Sequence, residues 1–208
     1  KFGGAVGNFN AHYSAYPNID WNIFGDNLLQ SLGLERSQYT TQIDNYENLS
    51  IIFDLIKRIN TILIDMCQDI WYYISIDYFK QNFNKNEVGS STMPHKINPI
   101  NFENAEGNLS LANSLFTRIC DTIPVSRYQR DLSNSTISRN FGTAFGYTMI
   151  AYDNLITGLN KLLVNNEEIN KDLDSGWAVL LEALQTYLRT VGLSNAYELV
   201  KNFYDQTP

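Results

Sequence analysis

Cysteine is scarce in this 208-residue chain, which holds only Cys67 and Cys120. That excludes a disulfide-built scaffold. Both stand inside helical patterns and read as buried thiols rather than as a bridge, which suits a reducing, cytoplasmic compartment. Long hydrophobic runs are also missing. The nearest approach to a membrane span, Ile51 to Ile76, is interrupted by Asp54, Lys57, Arg58, Asp65 and Asp69, whereas a span needs roughly 18 or more apolar residues. The opening residues KFGGAVGN hold no signal-peptide apolar core. Histidine occurs twice, at His12 and His95, and no cluster with metal-ligand spacing accompanies it. A phosphate-cradling glycine loop and a dinucleotide fingerprint are both absent, so neither metal nor cofactor is expected. Basic charge is in deficit, with 15 Lys+Arg against 22 Asp+Glu and a net charge of −7. This argues against a nucleic-acid partner and leaves room only for a local basic patch.

What remains is a chain with 44% hydrophobic and 18% charged residues, rich enough in apolar groups to bury a core and too apolar for a disordered tail. From Glu47 to about Tyr78, apolar residues fall at Ile52, Leu55, Ile56, Ile59, Ile62, Leu63, Met66, Ile70, Tyr73 and Ile74. Steps of three and four predict one long helix. Its apolar face is broad, which points to contacts on more than one side. A helix of some 30 residues spans roughly 45 Å and needs neighbours along its length, as in a long bundle. Three further stripes predict helices: Phe102, Ala105, Leu109, Ala112, Phe116, Ile119; then Phe141, Ala144, Phe145, Thr148, Tyr152, Leu155, Ile156, Leu159; then Trp177, Leu180, Leu181, Leu184, Tyr187, Leu188. A shorter helix is expected from Trp21 to Leu32, capped by Asp20 and stopped by Gly33. The fold expected is all-α. Residues 1–163 read as a central helical-bundle domain with a loop at 82–99, and 164–208 as the start of a further helical region.

That loop reads Gly89-Ser90-Ser91-Thr92-Met93-Pro94-His95-Lys96-Ile97-Asn98-Pro99. It offers hydroxyls, an ammonium, an amide and fixed turns, a set that suits an anionic substrate about to lose a proton, or simply a polar surface loop. The order of its residues resembles the fumarase/aspartase superfamily signature GSSxMPxKxNP over all eleven positions. That superfamily is all-α, with long helices assembled into a tetrameric core. His95, giving MPHK, resembles the adenylosuccinate lyase branch. So do the segment Arg127-Tyr128-Gln129-Arg130-Asp131-Leu132-Ser133-Asn134-Ser135-Thr136 with Arg139, the opening Gly3-Gly4-Ala5-Val6-Gly7-Asn8, and Tyr39-Thr40-Thr41-Gln42.

The resemblance implies a lyase that breaks a C–N bond by β-elimination and releases fumarate, from adenylosuccinate to give AMP and from SAICAR to give AICAR. It assigns Ser90 as the base. A serine needs a positive field for that task, and Lys96 in the same loop is its nearest source. Asn98 and the backbone near Ser91 would donate to the substrate carboxylate. Glu103 resembles the glutamate that orients a catalytic histidine of another subunit, and equally reads as an ordinary carboxylate in a first helical turn. Gln42 and Asn104 match substrate-contact positions. Arg118, Arg127, Arg130 and Arg139 cluster, and guanidinium groups suit phosphate. Arg130, Ser135, Thr136 and Arg139 match the family's nucleotide-phosphate segment, with Ser135 to Arg139 expected to open a helix near Ile137, whose first amides favour an anion.

The family's acid is a histidine in a THGQ-type motif, and neither His12 nor His95 stands in one. Together with a glycine turn at the very opening, this leads to the expectation of an internal fragment of a longer protein, inactive alone. Two other readings stay open: a sister lyase, argininosuccinate- or fumarase-like, and a non-enzymatic helical oligomerisation homologue.

Overall fold

The computed structural model describes residues 1–82 and 98–206. Ser90, Ser91 and Lys96 lie outside the described residues. The chain divides into two compact units, residues 1–71 with 89–160, and residues 72–88 with 161–208.

In the first unit, α1 (Asn10–Ala15) and α2 (Trp21–Ser31) precede the long helix α3 (Glu47–Ser75), whose last turn belongs to the second unit. The Asp20 carboxylate caps α2, accepting from the N–H groups of Asn22 and Ile23, both at 3.0 Å. Gly33, at φ +71°, ends it, and the Leu34 N–H returns to the Leu29 carbonyl at 2.9 Å. Both ends follow the sequence signals, because cap chemistry is local. Helix α3 runs 29 residues without glycine or proline, roughly 43 Å.

The remaining helices of this unit are α4 (Ile100–Thr122), α5 (Ser133–Ser138) and α6 (Phe141–Asn160). Helix α4 is central. Its six expected stripe residues, Phe102, Ala105, Leu109, Ala112, Phe116 and Ile119, are all buried. It packs chiefly along α6, where Ala144, Ala151 and Gly158 let the backbones approach. A Cβ on Gly158 would lie 2.9 Å from the Phe102 ring. The apolar centre joins Phe53, Ala112, Phe116, Ile119, Ile123 and Ala144. The Phe53 ring lies 5.3 Å from Phe116 and 5.1 Å, edge-on, from Phe141.

Helix α3 behaves differently. It buries Ser50, Phe53, Asn60, Cys67 and Ile70. Ile52, Leu55, Ile59 and Ile62 of the expected stripe remain 51%, 55%, 51% and 69% exposed. Only one edge of its broad apolar face is used within the unit. The expected α6 stripe splits in the same way. Thr148 and Leu155 are buried, while Ile156 and Leu159 are exposed.

The second unit holds the only β-structure among the described residues. Strand β1 (Phe79–Gln81) pairs antiparallel with β2 (Leu162–Val164), Lys80 opposite Leu163. Three residues a side are too short for an alternation to show in sequence. Asn165 closes the pair, donating from its backbone to Tyr78 O at 2.9 Å and from its side chain to Asp77 O at 2.8 Å. Helices α7 (Asn166–Ser175), α8 (Leu180–Thr190) and α9 (Ala196–Asp205) follow. The apolar stripe of α8 has no fully buried member. No helix of the described residues is long and apolar enough to cross a membrane.

Candidate functional site

The described candidate residues fall into two groups, and both can be built up from α4. The first group sits on its opening turn. Pro99 is buried, and its carbonyl accepts from the N–H groups of Phe102 at 3.0 Å and Glu103 at 3.1 Å. Proline lacks an N–H of its own, so a helix start leaves it no donor unsatisfied. Asn98, half-buried just before it, accepts through its carbonyl from the Ile100 N–H at 2.9 Å. Glu103 and Asn104 are exposed one turn later. The Trp71 indole N–H donates to Glu103 Oε1 at 3.2 Å, and the Gln68 amide donates to Glu106 Oε1 at 2.9 Å. These bonds tie the far end of α3 to the start of α4. The Asn104 side-chain oxygen accepts from Asn108 at 2.9 Å. Nearby Cys67 is buried, and burial, then the Glu106 carboxylate, push its thiol up to about 11. It is therefore a neutral thiol at ordinary pH, unsuited to nucleophilic work.

The second group lies beyond the other end of α4. The buried Asn134 side chain donates to the Ile123 carbonyl at 3.1 Å and closes the base of the loop before α5. Within that loop Tyr128 is 98% exposed at φ +52°, a left-handed conformation uncommon for an aromatic residue. The Gln129 carbonyl accepts from the Gln42 N–H at 2.9 Å. That bond sets Gln42 beside the residue preceding Arg130, across most of the unit's sequence. Arg127 pairs with Asp131 at 3.4 Å, but its side chain is 85% exposed, so the pair is weak. Hydrogen bonds from Ser133, and less strongly the Arg127 charge, hold the Asp131 carboxyl below the usual range. Arg130 and Arg139 form no ion pair among the described residues.

One expectation is corrected here. Ser135 and Thr136 stand inside α5, which begins at Ser133, and Arg139 is its C-cap. The segment therefore does not open a helix near Ile137. The Ser135 hydroxyl and N–H both turn back to the Leu132 carbonyl, at 2.7 and 3.2 Å, and Asp131, just ahead of the helix, accepts from the Ser133 N–H at 2.9 Å. What remains for an anion is the exposed side chains of Arg130 and Arg139.

From Glu103 to Ile123 is about 20 helical residues, roughly 30 Å at 1.5 Å each. The described residues of one chain therefore leave Asn98, Glu103 and Asn104 far from Gln42, Arg130, Ser135, Thr136 and Arg139. Residue order alone missed two supporting members, Trp71 and Gln129. An indole N–H near a helix end needs a partner, which is a signal for Trp71. Gln129 acts through its backbone, which no side-chain pattern reveals. A shallow cleft between α8 and α9, lined by Leu181, Tyr197, Val200 and Tyr204, contains none of the candidates.

Comparison with known proteins gives one family throughout. Residues 1–112 match the family model described as Lyase, and residues 126–207 match Adenylosuccinate lyase C-terminal. The chain is 51% identical to an adenylosuccinate lyase of Dictyostelium discoideum over 203 residues. It is 52% identical to one from Legionella pneumophila over 201 residues, and 48% to one from Escherichia coli over 201. Each alignment takes in 97% of this chain and 44% of the relative, so the chain spans less than half the length of those proteins.

Proposed function

The chain belongs to the lyase family, on its adenylosuccinate lyase branch, and from that premise we propose that the full-length protein splits adenylosuccinate into AMP and fumarate and SAICAR into AICAR and fumarate, in purine biosynthesis. The observation that carries this reading is identity near one half over 97% of the chain, which takes in both the signature loop and the arginine-serine segment.

The reaction is a β-elimination. A base takes the proton beside a carboxylate, the electron pair delocalises into that carboxylate, and an acid protonates the departing nitrogen. The developing charge is the main obstacle, so preorganised donors should supply the largest contribution. In this proposal Ser90 is the base, and the Lys96 ammonium favours its alkoxide and pairs with the substrate carboxylate. Asn98 and Ser91 donate to that carboxylate. Glu103 orients a histidine acid supplied from outside this chain's 208 residues. Arg130, Ser135, Thr136 and Arg139 hold the nucleotide phosphate, and Gln42 and Asn104 contact the substrate. The absence of ion-pair partners on Arg130 and Arg139 among the described residues supports the phosphate role.

The roughly 30 Å between the two groups, with the open Ile52–Ile62 face of α3, supports active sites shared between copies in a homotetramer. In this proposal, copies packed antiparallel would bring opposite ends of α4 together. The protein is proposed to be cytoplasmic, without nucleic-acid or membrane partners.

The test is loss of adenylosuccinate ultraviolet absorbance on the full-length protein, with fumarate measured as product. Turnover is expected. Ser90→Ala should lower kcat by about a thousandfold, within the range of a lost acid–base group, while AMP binding survives. No turnover, or AMP binding lost along with turnover in Ser90→Ala, would overturn the assignment.

A further inference from the structure

We infer that Gly7, with Gly3, is a positioning residue for the nucleotide site, acting through the backbone of Thr40 to Gln42. The inference rests on the proposed reading of Gln42 as a substrate contact. Its support is geometric. Gly7 has φ +86°, and a Cβ there would lie 2.2 Å from the Thr40 carbonyl oxygen and 2.9 Å from the Thr41 carbonyl carbon. Real Cβ atoms do not approach so closely, and backbone atoms cannot rotate aside as a side chain can. The turn therefore lies in direct contact with the segment that ends in Gln42. Gly3 meets the same segment from a second point, its Cβ position lying 2.7 Å from Thr40 Oγ1. That hydroxyl is buried with no partner among the described residues, so it is held by packing rather than by a hydrogen bond.

The segment is fixed on its other side too. The Gln42 N–H donates to Gln129 O at 2.9 Å, next to Arg130. The Lys1 ammonium bridges the carbonyls of Gly4 and Gln42. The glycine turn, the Thr40–Gln42 segment and the Gln129–Arg130 loop are thus three layers in contact, all in the first unit. A methyl group inserted at Gly7 has to displace the middle layer, and with it Gln42 relative to Arg130. Displacements near 1 Å at a positioned group cost up to about a hundredfold in rate. A lost binding contact appears in KM rather than in kcat.

The experiment is steady-state kinetics of the full-length protein with adenylosuccinate. Gly7→Ala should raise KM about tenfold with kcat within about threefold of wild type. Gly33→Ala is the matched control, because Gly33 has φ +71° and no neighbour within 4 Å of its Cβ position. It carries the same backbone strain without the contact, so it should lower the melting temperature and leave KM unchanged. Because Gly7→Ala puts the fold itself at risk, Gly3→Ala provides a second route. It should raise KM, and Gly3→Ala combined with Thr40→Ala should restore the KM of Thr40→Ala alone. An unchanged KM in Gly3→Ala, or a KM rise equal to that of Gly33→Ala, overturns the inference while leaving the lyase reading intact. A wild-type protein that does not cleave adenylosuccinate overturns both.

Discussion

Helices α3 and α4 carry similar apolar patterns and end in different environments. In α4 all six residues of the expected stripe are buried, and the stripe is one residue wide. In α3 the isoleucines and leucines on one flank stay half exposed, while Asn60, a polar residue, is fully buried. The difference lies in the number of neighbours. Helix α4 runs through the middle of its unit, so any apolar stripe it has is covered. Helix α3 lies at an edge and meets its unit along Phe53, Asn60 and Cys67, spaced seven apart. A broad apolar face shows that a helix wants neighbours, but it does not say which flank this chain supplies.

Asn60 shows how that edge is registered. Its amide donates to Asn113 Oδ1 at 3.1 Å and to Thr148 Oγ1 at 3.4 Å, and its carbonyl oxygen accepts from the Tyr152 hydroxyl at 2.9 Å. One side chain thereby joins α3, α4 and α6 at one level. A sliding helix would leave these groups buried and unpaired, which is costly.

Four substitutions in the full-length protein, one of them serving as the partner in a double variant, would test this contrast. The largest effect on stability should come from Phe116→Ala on α4, because its ring is fully buried against Phe53 and Phe145. The expected loss is about 3–5 kcal/mol, read as a lowered urea midpoint. A loss below about 1 kcal/mol would mean that the core is looser than its burial indicates. Next is Asn60→Ala, which strands the Tyr152 hydroxyl and the Asn113 amide oxygen at the cost of about 1–3 kcal/mol. Pairing it with Tyr152→Phe should be less than additive, since the two share one hydrogen bond. Strict additivity would deny the network. The smallest effect on the fold belongs to Ile62→Ser on the open flank of α3. Helical circular dichroism should be unchanged, with light scattering showing a shift toward smaller assemblies. Helix loss as large as in Phe116→Ala would show that the flank is already packed within the chain, and the contrast would fail.

Legibility followed the range of each interaction. The Asp20 cap and the Gly33 stop were readable because each acts within one turn. The α4 stripe was readable because a central helix buries whatever apolar line it has. The family was readable from an eleven-residue loop and an arginine-serine segment. The start of α5 was misplaced because its first turn, Ser133 to Thr136, is entirely polar and the apolar pattern begins only at Ile137. The β1–β2 pair joins segments some 80 residues apart, with no hairpin between them to signal it.

By itself, the sequence determined the helical character of the chain, several helix ends, the central core line and the family to which its motifs point. Only the tertiary structure decided which flank of α3 is covered, that Asn60 is a buried junction, that Gln42 lies beside the Gln129–Arg130 loop, and that Glu103 stands roughly 30 Å from that loop along α4. Caps and periodicities arise between residues a few positions apart and are written in their order. Flanks, junctions and distances arise between segments that meet only when the chain is packed, and residue order holds no local record of them.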